Sequence, residues 1–303
     1  MHCHRTCLLV LGCLVAAQGS AHSSDVDVFA TAGDSRPIVG FELIGEVPGS
    51  GQWGLDSPQS LAIDHRGNMV IADSGNNRVL VVSEAGDVVM EFGGYGWDEG
   101  QFDTPTDLAV YAGFYIYVLD EGNRRVERFD ERGNYLDRIV DEDDTSAPIG
   151  IAIGGGGELL IVDEDKQAVV IYSQFAEALE PLGGFGEGAG VLVLPCGVVM
   201  GPSRQIAVSD PGAGVVHVFD EFGSELHEAT LPGERFHPCA VTFDPLGNLI
   251  AADAEGHRIV AFGARGRLTS AMVLEGDSLP LAIEPVGLAF DSGGRLLVLD
   301  RAE

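Results

Sequence analysis

The chain has 303 residues, of which 45% are hydrophobic and 21% are charged, and its formal net charge at pH 7 is −30. This hydrophobic fraction excludes an intrinsically disordered chain, because it is enough to bury a large core. The charge argues against a nucleic-acid partner, since proteins that grip phosphate backbones use clustered lysine and arginine, and Lys166 is the single lysine here.

The first 21 residues have the pattern of a secretory signal peptide. Arg5 precedes an apolar run over residues 7–17, and the small residues Gly19, Ser20 and Ala21 follow. The run is too short to span a bilayer, and no later run is long enough to do so. The sequence therefore predicts an exported protein, periplasmic or extracellular, with no membrane span and a mature chain of residues 22–303. Lipidation at Cys13 stays open, because Gly12 precedes it.

Six prolines begin six similar segments, with spacings of 47, 43, 47, 43 and 47 residues. The prolines are Pro58, Pro105, Pro148, Pro195, Pro238 and Pro285. An aspartate follows each one at a constant distance of fifteen residues, namely Asp73, Asp120, Asp163, Asp210, Asp253 and Asp300. The constant distance predicts six copies of one structural unit.

Each unit contains two alternating apolar strands joined by a turn rich in glycine and asparagine, such as residues 65–68. A third strand ends nine residues after the aspartate, near Val82 or Phe129, and a second turn leads to a fourth strand. Four antiparallel strands in a unit of this length are typical of a propeller blade. We therefore predict an all-β protein, a six-bladed β-propeller of four-stranded antiparallel blades, as a single domain over residues 22–303.

The last unit ends three residues after Asp300, so it has only two of its four strands. Residues 38–45 fall where a fourth strand should end, and residues 26–31 alternate as a third strand would. We predict that these N-terminal strands complete the last blade, which would remove the free edge of the sheet.

Two segments resemble the NHL repeat: DSGNNRV at residues 73–79 and GWDEGQFDTP at residues 96–105. The resemblance covers about residues 38–303, although units three and four lack the Asn-x-Arg ending. It implies the same six-bladed propeller. Propellers of similar kind include amidating lyases with a histidine cluster on the channel and gluconolactonase-like enzymes that hold calcium. The histidines of this chain stand at different offsets from their prolines, so they do not form a ring of equivalent ligands.

The loops after the aspartates and the connections between blades lie on one side of a propeller, here called the looped face. Trp53 and Trp97 precede the first two prolines on this face. Gln59, Thr106 and Asp107 follow those prolines, where the later units carry small or apolar residues. These five residues are the predicted ligand-binding patch, because rigid scaffolds present function on loops. Ordinary variation at a loop edge is the alternative.

The six aspartates are expected to be structural and not a calcium ring. A carboxylate at this position accepts hydrogen bonds from backbone amides of the adjoining loop. In units one, two and five it also pairs with an arginine five residues on, Arg78, Arg125 or Arg258.

Cys196 and Cys239 are the two cysteines beyond the predicted signal peptide, and they share one register in adjacent units. Side chains at equal register follow one another around the ring, which disfavours a disulfide. With His237 they form a weak candidate metal site, since zinc and copper choose histidine and thiolate ligands. The sequence thus allows a bound calcium or zinc ion, but it requires no cofactor.

Two functions are compatible with these observations. The preferred one is a non-catalytic binding or scaffold module that holds a protein, peptide or glycan on its looped face. The alternative is a metal-dependent hydrolase or lyase with its site at the channel mouth. No Ser-His-Asp arrangement and no phosphate-binding glycine loop is recognisable, so catalysis has no motif to support it.

Overall fold

The computed structural model describes residues 8–15, 39–47, 50–111, 114–141, 143–174, 178–183, 190–274 and 283–301. Its strands form six sheets of four antiparallel strands each. The first strand of every sheet contacts the first strand of the next, and the sixth contacts the first, so the inner strands close a ring. The predicted six-bladed β-propeller is confirmed.

Blade six takes its outer strands from the N-terminus. They are β1 (Leu8–Val15) and β2 (Val39–Glu46). Blade one contains β3 (Pro58–Ile63), β4 (Met69–Asp73), β5 (Arg78–Val82) and β6 (Val88–Gly93). Blade two contains β7 (Pro105–Tyr111), β8 (Tyr115–Asp120), β9 (Arg125–Asp130) and β10 (Tyr135–Val140). Blade three contains β11 (Pro148–Ile153), β12 (Leu159–Asp163), β13 (Ala168–Tyr172) and the short β14 (Leu182–Gly183).

The remaining strands follow the same order. Blade four contains β15 (Gly197–Met200), β16 (Ile206–Asp210), β17 (Val215–Phe219) and β18 (Glu225–Ala229). Blade five contains β19 (Pro238–Phe243), β20 (Leu249–Asp253), β21 (Arg258–Phe262) and β22 (Leu268–Val273). Blade six begins with β23 (Pro285–Phe290) and β24 (Arg295–Asp300). Three single 3₁₀ turns lie at Ser50–Gln52, Ser74–Asn76 and Ala264–Gly266, and no described helix is long and apolar enough to cross a membrane.

The closure of blade six confirms one predicted strand and corrects the other. The sheet order is β2, β1, β24, β23, so the fourth strand is Val39–Glu46, close to the predicted residues 38–45. The third strand is Leu8–Val15, which pairs Leu8 with Leu299 and Gly12 with Arg295. The prediction of residues 26–31 for this position is wrong, because the more apolar segment occupies it; residues 26–31 themselves lie outside the described residues.

Strand β1 falls inside the predicted signal peptide. Leu8, Leu9 and Leu11 are each at most 1% exposed, and they pack into the cores on both sides of blade six. Cleavage after residue 21 would remove this strand from the blade. The same residues cannot both be cleaved off and complete the sheet, so signal-peptide removal stays a prediction that competes with this arrangement.

The buried hydrophobic residues that the structure describes form six clusters, each between two neighbouring blades. Between blades one and two, for example, Phe102 and Phe129 pack edge to face with ring centroids 5.6 Å apart. Both strand faces of each blade are therefore covered, which explains why the second strands of blades one, three, four and five are buried along their whole length. This packing fixes the inner strands around the central channel.

The six aspartates have the structural role that the sequence predicts. Each is at most 2% exposed and lies at the end of its blade's second strand. Asp73, for example, accepts a hydrogen bond of 2.7 Å from the amide of Asp56, and Asp120 accepts the equivalent bond from Asp103. The predicted arginine pairs are also present, with Nε to Oδ2 distances of 2.6 Å in blade one and 2.8 Å in blades two and five.

Candidate functional site: the channel mouth and looped face

A central channel of about 850 Å³ runs between the inner strands of all six blades. Polar side chains line it at the looped face, whereas Val110, Ile153 and Met200 line it further along the inner strands. The polar lining includes Gln59, Thr106, Glu121, His237, Glu255, Glu284 and Arg301. A cavity of this size with convergent polar groups at one end is suited to holding part of a ligand.

A β-bulge sets the geometry of the channel mouth. In blades one and two the pairing register shifts directly after the proline, so Gln59 and Thr106 are extra residues without a cross-strand partner. A bulged residue is turned out of the regular ladder, and bulges are common beside binding sites. Both of these predicted patch residues line the channel.

Asp107 also lines the channel, and its carboxylate ties three blades together. It accepts hydrogen bonds from the Ser60 hydroxyl at 2.6 Å, from the backbone amide of Leu108 at 2.8 Å and from the backbone amide of Ile151 at 2.7 Å. Burial raises the pKa of Asp107 to about 6, although these three hydrogen bonds lower it. The carboxylate of Asp107 therefore holds the inner strands of blades one, two and three together, and its pKa of about 6 lies close to neutral pH.

Small residues at the same register in other blades have a steric cause. A Cβ on Gly150 would lie 2.4 Å from the carbonyl oxygen of Cys196, and one on Gly197 would lie 3.1 Å from that of Cys239. The contrast between polar and small residues after the prolines therefore reflects how closely neighbouring inner strands approach.

The two tryptophans have different environments. Trp97 is 67% exposed and packs edge to face against the 60% exposed Tyr95, with ring centroids 5.4 Å apart. Trp53 is 7% exposed and lies in the core between blades six and one, where its indole donates a 3.0 Å hydrogen bond to the carbonyl of Gly86. The expectation of an exposed patch containing both tryptophans is wrong for Trp53, and Tyr95 takes its place beside Trp97.

The Tyr95–Trp97 pair sits on a well-anchored loop. The buried Arg125 guanidinium donates hydrogen bonds to the carbonyls of Trp97, Asp98 and Gln101, at 2.9, 3.1 and 2.6 Å. The Asn123 amide donates to the carbonyl of Gly96 at 2.9 Å. The aromatic rings are thus exposed on a rigid support.

The candidate metal ligands Cys196, Cys239 and His237 line one part of the channel wall, and both thiols are free. Cys196 Sγ lies 3.4 Å from the carbonyl oxygen of Cys239, and Cys239 Sγ lies 3.0 Å from that of Pro285. Each thiol thus points to the next blade, as the equal register predicts. Burial raises the pKa of Cys196 to about 11 and that of Cys239 to about 12, which disfavours the thiolates a metal needs.

Within the described residues, one group of three metal-ligating side chains has its ligand atoms within 4.8 Å of one another, and it lies elsewhere: His217, Glu225 and Glu228 in blade four. The weak candidate site at the cysteines does not reach this proximity. His237 instead approaches Glu255, with Nδ1 to Oε1 at 3.8 Å.

Several channel residues were not predicted from the sequence. Glu121 and Arg301 directly follow the aspartates of blades two and six, and Arg301 donates a 2.6 Å hydrogen bond to Glu284. The sequence does contain a signal for these channel residues, because the residue after each aspartate varies between blades as much as the residues after the prolines do.

No protein-family model matches the chain. It is 27% identical to the E3 ubiquitin-protein ligase NHLRC1 of Rattus norvegicus over an alignment of 319 residues, which covers 98% of this chain and 76% of the relative. Among solved structures it is similar to a streptogramin B lyase, with a TM-score of 0.62, 13% identity and coverage of 82% of this chain and 92% of that chain. A nidogen/laminin complex gives a TM-score of 0.63, 16% identity and coverage of 88% and 93%. The six-bladed ring of four-stranded blades and the similarity to NHLRC1 are consistent with an NHL-repeat β-propeller.

Proposed function

We propose that this propeller is a non-catalytic binding or scaffold module that holds a protein or peptide ligand on its looped face. The exposed Tyr95–Trp97 pair carries the proposal. Propellers of the NHL kind are commonly protein-interaction scaffolds, and the chain has this fold. A glycan ligand is the alternative for the same surface.

Two physical features support a protein or peptide ligand. Tryptophan and tyrosine are enriched among the residues that dominate binding energies, and here they are exposed without a packing role in the blade. The loop beneath them is already ordered by Arg125, so binding would lose little conformational entropy.

The negative charge of the surface favours basic ligands. Asp98 and Glu99 are exposed beside Trp97, and the whole chain carries a net charge of −30. A basic segment would be attracted to this face, and a guanidinium or ammonium group would stack on the exposed rings. We therefore expect the preferred peptides to be rich in arginine or lysine.

A peptide-display selection on the full chain tests this proposal. Enriched peptides are synthesised and titrated by calorimetry into the wild type, Trp97→Ala and Phe114→Ala. Phe114 is a matched control, because it is 61% exposed in a strand-one to strand-two turn on the opposite face. We expect Trp97→Ala to cost about 2 kcal/mol or more of binding free energy and Phe114→Ala to cost nothing. Equal affinity for all three proteins would contradict the proposal.

A metal-dependent hydrolase or lyase with its site at the channel mouth is the second candidate. The 850 Å³ channel and its polar lining favour it, as does the likeness in fold to a streptogramin B lyase. The orientation and raised pKa of both thiols count against their use as ligands. Elemental analysis of the purified protein and of His237→Ala separates the two candidates, because a channel-mouth metal would be lost from this variant.

We further propose an exported location, on the signal-peptide pattern of residues 1–21 alone. Mass determination of the intact protein from the cell and from the medium tests it. A secreted species that begins after residue 21 would support export, and a species that keeps Leu8–Val15 in both fractions would oppose it.

A further inference from the structure

His217 lies in the middle of β17 in blade four, and its side chain is only 4% exposed. The residues at the same register in blades one, two, three and five are Leu80, Glu127, Val170 and Val260. A propeller blade therefore does not need an imidazole at this position, and a buried one requires another explanation.

A β-bulge brings two glutamates to the same side of the sheet as His217. Glu228 pairs directly with His217 across the strands, and Glu225 pairs with Phe219, with Leu226 as the extra residue. In a regular strand, residues three apart would point to opposite faces. The bulge reverses this alternation for Glu225, so both carboxylates flank the imidazole.

Three carboxylates surround the single imidazole. Nδ1 lies 2.7 Å from Glu225 Oε1 and 3.9 Å from Glu228 Oε1, and Nε2 lies 3.8 Å from Asp210 Oδ2. Blade four has Val215 where blades one, two and five have the arginine that pairs with the aspartate. The ion pairs of these carboxylates within the described residues are all with His217.

The two nitrogens of the imidazole ring have different surroundings. Nε2 is buried and has no hydrogen-bond partner among the described residues, because 3.8 Å to Asp210 is too long for one. Asp210 itself is held by the amides of Val193 and Ala213. On the other side of the ring, Nδ1 and Glu225 Oε1 are within hydrogen-bond distance, at 2.7 Å. A cation bound to Nδ1 would take the place of the proton between these two atoms, because imidazole and carboxylate groups bind metals in their deprotonated forms.

We propose that His217, Glu225 and Glu228 bind a Zn²⁺ ion on the outer part of blade four. Their ligand atoms lie within 4.8 Å of one another. Zinc bonds of ~2.1 Å in tetrahedral geometry place ligand atoms about 3.4 Å apart. Glu225 must withdraw slightly from Nδ1 and Glu228 must approach it, and Glu228 is free to do so because its side chain is 53% exposed.

The donor set selects zinc over calcium. One imidazole nitrogen with two carboxylate oxygens is a ligand set that zinc accepts, and solvent completes the fourth position at the exposed edge. Calcium prefers six to eight oxygen ligands, which these residues do not supply. Asp210 Oδ2 lies 3.8 Å from Nε2, on the side of the ring where a carboxylate commonly orients a zinc-binding histidine.

Calorimetric titration with ZnCl₂ tests the site, using full-length protein treated with chelator and dialysed. We expect one Zn²⁺ per chain in the wild type. Glu228→Gln keeps the size of an exposed side chain, so the fold is not at risk, and it should weaken binding by at least the roughly tenfold cost of losing a supporting partner. His237→Ala is the control, since His237 lines the channel, and it should bind zinc as the wild type does.

The site assignment is independent of the proposed peptide-binding function, because blade four's outer strands are not part of the Tyr95–Trp97 surface. It would be overturned by the absence of stoichiometric zinc binding in the wild type, by unchanged affinity in Glu228→Gln, or by loss of binding in His237→Ala. A heat of binding for CaCl₂ with none for ZnCl₂ would overturn it as well.

Discussion

Arg125 is the most enclosed of the three arginines that pair with blade aspartates. Its side chain is 4% exposed, against 18% for Arg78 and 15% for Arg258. Besides Asp120 it contacts Glu127, with Nη1 to Oε1 at 3.2 Å, and three loop carbonyls. Removal of this one side chain would leave two buried carboxylates without their closest cation.

We predict that Arg125→Met lowers the free energy of unfolding by about 3–5 kcal/mol, because breaking a buried pair leaves an uncompensated charge. Arg204→Met is the control: Arg204 pairs with Glu158 and Glu221, but its side chain is 45% exposed, so a loss of about 0–1 kcal/mol is expected. Urea unfolding of the two variants measures the difference. Equal losses would mean that the Arg125 network contributes no more than a surface pair.

Glu127 makes the stability of blade two depend on pH. Burial raises the pKa of Glu127 to about 7 from an ordinary value of 4.5, although Arg125 lowers it. The folded state therefore holds a proton that the unfolded state has released, and this stabilisation is complete below about pH 4.5 and is lost as pH rises through 7.

We expect the free energy of unfolding of the wild type to fall between pH 5 and pH 8, and that of Glu127→Gln to fall less. Glutamine keeps the shape of the side chain and removes its titration. Urea titrations of both proteins at a series of pH values measure the two slopes. Parallel slopes would assign the pH dependence to other groups, of which Asp107, with its pKa of about 6, is the first to examine by Asp107→Asn.

At the scale of elements, the strands could be predicted from the sequence wherever the same residues recur from unit to unit. The prolines, the aspartates and the turn glycines predict the strands of blades one to five, because each unit repeats the same local requirements. The third strand of blade six was misplaced, since residues 26–31 alternate like a strand whereas residues 8–15 resemble a signal peptide. An apolar run buried on both faces does not alternate, so pattern alone could not separate these two uses.

Side-chain environments were predicted less well than strands. Trp53 and Trp97 stand in similar places before their prolines, yet one is in the core and the other is exposed. The difference arises from the turn around Gly86, which comes from the next blade and covers Trp53. The bulge that brings Glu225 beside His217 could not be predicted from the sequence either, because it depends on the pairing between two strands and not on the spacing of residues along one strand.

At the scale of the whole molecule, β1 joins the two ends of the chain. We predict that deletion of residues 1–21 removes about 5–9 kcal/mol of stability, since three fully buried leucines contribute about 1.5–3 kcal/mol each. Typical domains have about 5–15 kcal/mol in total, so the variant should unfold at a much lower temperature or associate through the open edge of β24.

Circular dichroism melting and size-exclusion chromatography measure both effects, and deletion of residues 1–7, which precede β1, is the control. An unchanged melting temperature and a monomeric elution volume for the longer deletion would show that another segment can serve as the third strand. That result would also make cleavage after residue 21 compatible with a closed ring.

The pairing of Leu8 with Leu299 separates the order of synthesis from the order of folding. A ribosome makes β1 before blades one to five and makes its partner β24 after them, so those five blades can form while blade six waits for β24. During that whole interval the apolar strand β1 extends from the nascent chain without its partner. Any factor that recognises exposed apolar segments can therefore bind β1, and the time available to it is set by the length of chain between β1 and β24.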